Sequence, residues 1–230
     1  MTAEHYHALY RWFDAHPAAR RFVVALDRWL PLVPFVSYPV LLCLLNVRLV
    51  QLFLTRQSAA PDLMPEIARS ILVPGITFWV GTALRARLDR PRPYDQPGFT
   101  PLVQKDTHGR SFPSRHALSA AVLAMVWLYF YPAVGWCMIV IALLIAVVRV
   151  LTGVHHIRDV AAGLALGFAC GFVGMWLLKL RRIKIRNFFQ IVLDRPGSVW
   201  YYTSRSVCRH TTAAIKEPNG ITTCARSSGG

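Results

Sequence analysis

Three short clusters hold the residues able to do chemistry: Arg85-x6-Arg92-Pro93, Pro113-Ser114-Arg115-His116 and Arg149-x5-His155-x3-Asp159. Each sets fixed positive charge or a protonatable ring at the edge of an apolar segment. A phosphate ester spreads up to two negative charges over its free oxygens, and the planar guanidinium fork matches those oxygens bidentately. Arg85, Arg92 and Arg149 are the candidate grips, while Arg87, Arg90 and Arg110 read as headgroup contacts. On a helix, His155 and Asp159 share a face. Asp159 then accepts a proton from one ring nitrogen and leaves the other as nucleophile. The neighbouring His156 competes for that role, and the spacing from Arg149 favours His155. His116 is placed to protonate a leaving oxygen as a general acid. Ser114 and the N–H groups around Arg115 open a helix there, a natural anion site and equally a place for an N-cap.

These clusters need elements that bring them together. The chain has 230 residues, is 54% hydrophobic and carries a formal charge of +15, which argues for one membrane-embedded domain with cationic flanks. The apolar residues come in long blocks with charges between them, against a basic nucleic-acid binder. Ionisable groups at membrane depth are costly and usually functional. Residues 1–29 mix tyrosine, tryptophan and arginine and are too polar to span, so they read as an interfacial amphipathic segment. Five spanning helices are expected at about Leu30–Val50, Ile67–Leu84, Ala117–Tyr131, Ala133–Val148 and Val160–Leu178. The embedded domain is therefore 30–178. Gly163, Gly167, Gly171 and Gly174 form a stripe of small residues in the last span, suited to close helix packing. The tail, 179–230, carries ten lysines and arginines against Asp194 and Glu217 and is expected to be a basic, disordered extension. Cys43, Cys137 and Cys170 read as apolar fillers, and Cys208 and Cys224 as ordinary thiols, with a disulfide or a metal contact with His210 as the alternative. The first 20 residues lack a cleavable-signal pattern.

Counting the spans puts all three clusters on one membrane face. The first ends the second span, the second opens the third, and the last lies between the fourth and fifth. The dense run Lys179–Arg186 argues for a cytoplasmic C-terminal end and an outward-facing site, whereas Arg11, Arg20, Arg21 and Arg28 argue the other way. The dense run is the stronger signal, so the expected location is the plasma membrane with an extracytoplasmic site.

The set of clusters resembles the three motifs of the type-2 phosphatidic acid phosphatase superfamily, which also includes the vanadium haloperoxidases. That pattern reads Lys-x6-Arg-Pro, Pro-Ser-Gly-His and Ser-Arg-x5-His-x3-Asp. The resemblance covers Arg85 to Asp159 and, with the surrounding helices, extends to about residue 178. It implies a helical bundle and a reaction through a phosphohistidine, with no metal and no cofactor. It matches His155 to the nucleophile, Asp159 to its partner and His116 to the general acid. Arg85, Arg92, Ser114 and Arg149 match the phosphate-binding positions. Three positions depart from the pattern: Arg85 stands for lysine, Arg115 for glycine and Val148 for serine. A glycine required for its backbone angle would make Arg115 strained or crowded, or Arg115 adds a phosphate contact of its own. Val148 removes one hydroxyl donor. The expected function is hydrolysis of a lipid-linked phosphate monoester or pyrophosphate. The alternatives are a lipid phosphotransferase and a non-catalytic binder of anionic lipid. Phosphatidic acid, phosphatidylglycerol phosphate, an isoprenoid pyrophosphate and a phosphorylated glycolipid are all candidate substrates.

Overall fold

The computed structural model describes residues 3–57, 60–95, 101–103 and 108–178, with the short pieces 215–216 and 222–223. The chain divides into two units, 1–180 and 181–230. In the second, Ile215–Lys216 pairs antiparallel with Thr222–Thr223; the rest of the expected disordered tail lies outside the described residues.

The first unit is a helical membrane bundle. Its elements are α1 (Ala3–Ala15), α2 (Pro17–Trp29), α3 (Leu32–Leu54), α4 (Ala60–Leu88), α5 (Arg115–Phe130), α6 (Pro132–Leu151) and α7 (Ile157–Phe172). A π-type turn, Val173–Leu177, extends α7. Where one interfacial segment was expected there are two helices, divided at His16–Pro17 because proline favours the first turn of a helix and cannot continue one. The spans also run past their expected ends. α4 reaches Leu88 and so takes Arg85 into its last turn, and α6 reaches Leu151 and takes in Arg149. These charged residues stay helical because they face protein rather than lipid.

Four stretches are long and apolar enough to cross a bilayer among the described residues: Pro17–Leu54, Asp62–Asp95, Pro132–Leu151 and Ile157–Leu177. The remaining expected span, α5, has 16 residues, about 24 Å at 1.5 Å per residue, against a hydrocarbon core of about 30 Å. It can be short because it is the hub of the bundle. Every residue from Ala117 to Trp127 is buried, and α3, α4, α6 and α7 all pack on it. Lipid meets the outer helices instead, through side chains such as Val40, Val47, Ile76, Trp79, Trp136 and Leu144.

Side-chain size is graded along the hub. Leu41, Leu45, Ile67, Trp127 and Met175 fill the end away from the clusters. At the cluster end the core narrows to Ala117, Ala146 and Val160. There α7 lies directly on the α5 backbone. A Cβ at Gly163 would stand 2.7 Å from the Ser114 carbonyl oxygen, and one at Gly167 would stand 2.5 Å from that of Leu118. No side chain fits in that seam, so the stripe of glycines fixes how closely the residues after His155 approach the start of α5.

Gly163→Ala is expected to push α7 off α5 and cost about 1–3 kcal/mol of stability. Ala165→Val, on an exposed position of the same helix, should leave stability unchanged. Thermal unfolding of the two purified variants in detergent checks the difference.

Candidate active site

The clusters meet where α4, α5, α6 and α7 end or begin on one side of the bundle. Arg85, in the last turn of α4, donates from Nη1 to the Pro113 carbonyl at 3.4 Å and so joins the first cluster to the second. Arg92 lies beyond the helix, in a loop tied by Asp95. The Asp95 carboxylate accepts the Arg92 N–H at 2.7 Å and the Gly109 N–H at 3.0 Å. Arg92 Nε then donates to the Gly109 carbonyl at 2.9 Å. Gly109 takes φ of +63°, open to glycine at little cost. Both arginines are buried, yet among the described residues neither pairs with a carboxylate through its guanidinium. They are cations short of an anion.

The third cluster owes its spacing to a turn. The chain leaves α6, reverses at Gly153 (φ +72°) and returns the Val154 and His155 N–H groups to the Arg149 carbonyl, each at 3.2 Å. Arg149-x5-His155 is the length of that loop. His156 then starts α7, and its N–H donates to Asp159 Oδ2 at 3.1 Å, so Asp159 caps the helix that carries it. The Asp159 carbonyl in turn accepts the Ser114 N–H at 2.9 Å, locking the third cluster onto the second.

His155 and Asp159 do not bond directly: Nδ1 and Oδ2 are 3.9 Å apart, beyond hydrogen-bond range. Ser111 bridges them. Its Oγ is 2.5 Å from Asp159 Oδ2 and 3.3 Å from His155 Nδ1. An ionised carboxylate only accepts, so the single hydroxyl proton goes to Asp159. The ring must then donate from Nδ1 into the Ser111 oxygen, which leaves the lone pair on Nε2. The ring is also kept uncharged. Burial pushes the His155 pKa down to about 4, with Arg92 and Arg149 acting in the same direction against the pull of Asp159. A buried, neutral imidazole with a defined tautomer is equipped to attack an electrophile.

Ser114 sits at the N-cap of α5 but does not cap it; its buried Oγ has no hydrogen-bond partner among the described residues. Arg115 takes ordinary helical backbone, so arginine meets no conformational penalty where the resembling pattern has glycine. Its side chain is exposed at the rim, 6.0 Å over the Phe78 ring. His116 is half-buried on the first turn of α5. Val148 is buried one residue before Arg149. Of the outer arginines, Arg90 stacks 4.8 Å over Phe112, and Arg110 approaches Asp89 to 4.0 Å.

Two residues of the site lie outside the sequence clusters. Ser111 bears neither charge nor motif spacing, and only its place three residues before Ser114 hints at it. Asp27, on α2, reaches Arg149, with Nη1 to Oδ1 at 3.3 Å. It is the only acid among Arg20, Arg21 and Arg28 on that helix, a signal visible in the sequence.

The model of the PAP2 superfamily matches residues 67–183, just over half of the 230-residue chain. The chain belongs to that superfamily. It is 33% identical over 135 residues to phosphatidylglycerophosphatase B of Bacillus subtilis, a match that covers 52% of this chain and 60% of that one. It is 30% identical over 80 residues to the bacitracin transport permease protein BcrC of Bacillus licheniformis, covering 35% and 39%. The chain thus spans less than two thirds of the length of these relatives. Among solved structures, LpxE of Aquifex aeolicus aligns with a TM-score of 0.44 at 24% identity, over 70% of this chain and 87% of that one. A transmembrane PAP2-type phosphatidylglycerolphosphate phosphatase from Bacillus subtilis aligns with a TM-score of 0.43 at 25% identity, over 76% and 93%.

Three outcomes follow from the site. Ser111→Ala removes the bridge between ring and carboxylate and is expected to lower kcat about tenfold or more, measured as phosphate release at saturating lipid phosphate. In the wild-type protein the acid limb of kcat/KM should fall near pH 4 instead of the usual imidazole value of 6.5. Between those values the unfolded chain binds a proton that folded His155 does not, so this group makes stability fall as pH is lowered. The pH dependence of kcat/KM and of thermal unfolding checks both.

Proposed function

We propose that this protein is an integral membrane phosphatase that hydrolyses a lipid-linked phosphate through a phosphohistidine, without a metal or other cofactor. One observation carries the reading: a buried neutral imidazole, with Nδ1 engaged and Nε2 left over, lies within electrostatic reach of Arg92 and Arg149. A binder of anionic headgroups needs the arginines but has no use for an oriented nucleophile. Superfamily membership supports the same chemistry.

In the proposed reaction the phosphoryl group docks against Arg85, Arg92, Arg149 and the unsatisfied Ser114 hydroxyl. His155 Nε2 attacks phosphorus in line, forming the P–N bond as the bond to the lipid oxygen breaks. His116 gives its proton to that departing oxygen. The same histidine, now a base, takes a proton from water as the water oxygen attacks phosphorus and the P–N bond breaks. Inorganic phosphate leaves and the imidazole returns to neutral. Asp159, through Ser111, stabilises the charge on the ring while the intermediate exists. The fixed guanidinium charges stabilise the transferring group, the usual source of catalysis in phosphoryl transfer.

Phosphatidylglycerol phosphate is the first substrate to test, because the relative of 33% identity is named a phosphatidylglycerophosphatase. The lysine- and arginine-rich run after the last span favours a cytoplasmic C-terminal end and hence a plasma-membrane enzyme with an extracytoplasmic site.

Purified wild-type protein is expected to release phosphate from phosphatidylglycerol phosphate in the presence of EDTA, and His155→Ala to be at least about 1,000-fold slower. Release abolished by EDTA, or surviving in the variant, would overturn the mechanism. Intact cells should hydrolyse a short-chain lipid phosphate supplied from outside; hydrolysis only after permeabilisation would reverse the orientation.

A further inference from the structure

We propose that Asp27 is a positioning residue for Arg149, so that helix α2 is part of the active site. The proposal rests on the reading of Arg149 as a phosphate grip.

The Asp27 and Arg149 side chains are 5% and 4% exposed. Arg149 Nη1 meets both carboxylate oxygens of Asp27, at 3.3 Å from Oδ1 and 3.4 Å from Oδ2. The Thr152 hydroxyl, whose one proton has the Val148 carbonyl as its shortest acceptor at 3.0 Å, lies 3.4 Å from Oδ1. Asp27 is therefore held by Arg149 and flanked by Thr152, although it comes from a helix more than a hundred residues earlier in the chain. Val23, one turn before it, is also buried, so α2 turns one narrow stripe inward and leaves Arg20, Arg21 and Arg28 outside.

A carboxylate beside an anion site repels the ligand, so its presence there calls for a compensating role. Arg149 shows what that role is. Only Nη1 is engaged by Asp27, while Nε is buried with no hydrogen-bond partner among the described residues. A guanidinium present only to tie α2 to α6 would have its buried donors satisfied. This one is anchored at one nitrogen and keeps another unspent. Rotation about the side chain, and the repulsion from nearby Arg92, would otherwise carry the fork away from the phosphate. Asp27 restrains it, and the unsatisfied Nε–H is left for a phosphate oxygen.

The test compares Asp27→Asn with wild type in detergent, measuring kcat and KM for phosphatidylglycerol phosphate, unfolding temperature and the affinity for orthovanadate as a phosphate mimic. Loss of the restraint should lower kcat about tenfold, as misplacement of a reacting group does, while KM moves less than threefold. In an Arg149→Ala background the same substitution should have no further effect on kcat. Asp27→Glu, which keeps the charge on a longer arm, should recover part of the loss, and it serves as the readout should Asp27→Asn not fold. A purely structural pair would shift only the unfolding temperature. Unchanged kcat in Asp27→Asn, or a full loss that persists in the Arg149→Ala background, would overturn the proposal. A wild-type protein that binds no orthovanadate would instead overturn the phosphate-site reading beneath it.

Discussion

The seam between α5 and α7 is the constraint on which the site depends. At Gly163 and Gly167 the two helices approach until there is no room for a methyl group. That contact brings the N-terminus of α7 against the N-terminus of α5. The Ser114 N–H then reaches the Asp159 carbonyl, and Ser111 reaches the Asp159 carboxylate. A seam one side chain wider would separate the serines from the imidazole. The hub helix makes this possible because its own cluster end is lined with alanine, while the bulky core residues are kept to the opposite end.

Within that frame the bundle must settle several ionisable groups away from water. Each type does so differently. An imidazole can give up its charge, and His155 does. A guanidinium cannot, so each buried arginine needs a partner of the opposite sign or a backbone carbonyl. Arg149 has Asp27, whereas the Arg85 and Arg92 guanidiniums hydrogen-bond only to carbonyl oxygens among the described residues, with Arg92 also 5.6 Å from the Tyr94 ring. The positive charge left over is what an anionic substrate would neutralise. In an unliganded protein it is a standing electrostatic cost, and in the proposed reaction it is the source of transition-state stabilisation.

The membrane spans and the three clusters were legible in the sequence because each is local. Long apolar runs announce helices, and fixed spacings such as Arg149-x5-His155 encode a single turn. The helix ends were less legible. Arg85 and Arg149 look like interruptions of an apolar run, but they remain helical because they point into protein. The split of the first 29 residues into two helices was signalled by Pro17 alone. Ser111 and Asp27 were not recognised, for a shared physical reason. Their importance comes from contacts across more than 40 and more than 120 residues of chain. Arg115 illustrates the reverse error: a substitution that suggests strain in a pattern proves to occupy unremarkable helical backbone.

Asp27 lies 40 residues before the region over which the superfamily is recognised, which begins at residue 67. Two proteins with identical motifs can therefore differ in whether a carboxylate stands behind one of their arginines, and an inventory of motifs would score them as the same. A chimaera that takes residues 67–183 intact and replaces what precedes them would inherit His155, His116, Asp159 and the cluster arginines Arg85, Arg92 and Arg149. Unless its new first half supplied an acid at the matching depth, it would also inherit a buried guanidinium with no counter-charge.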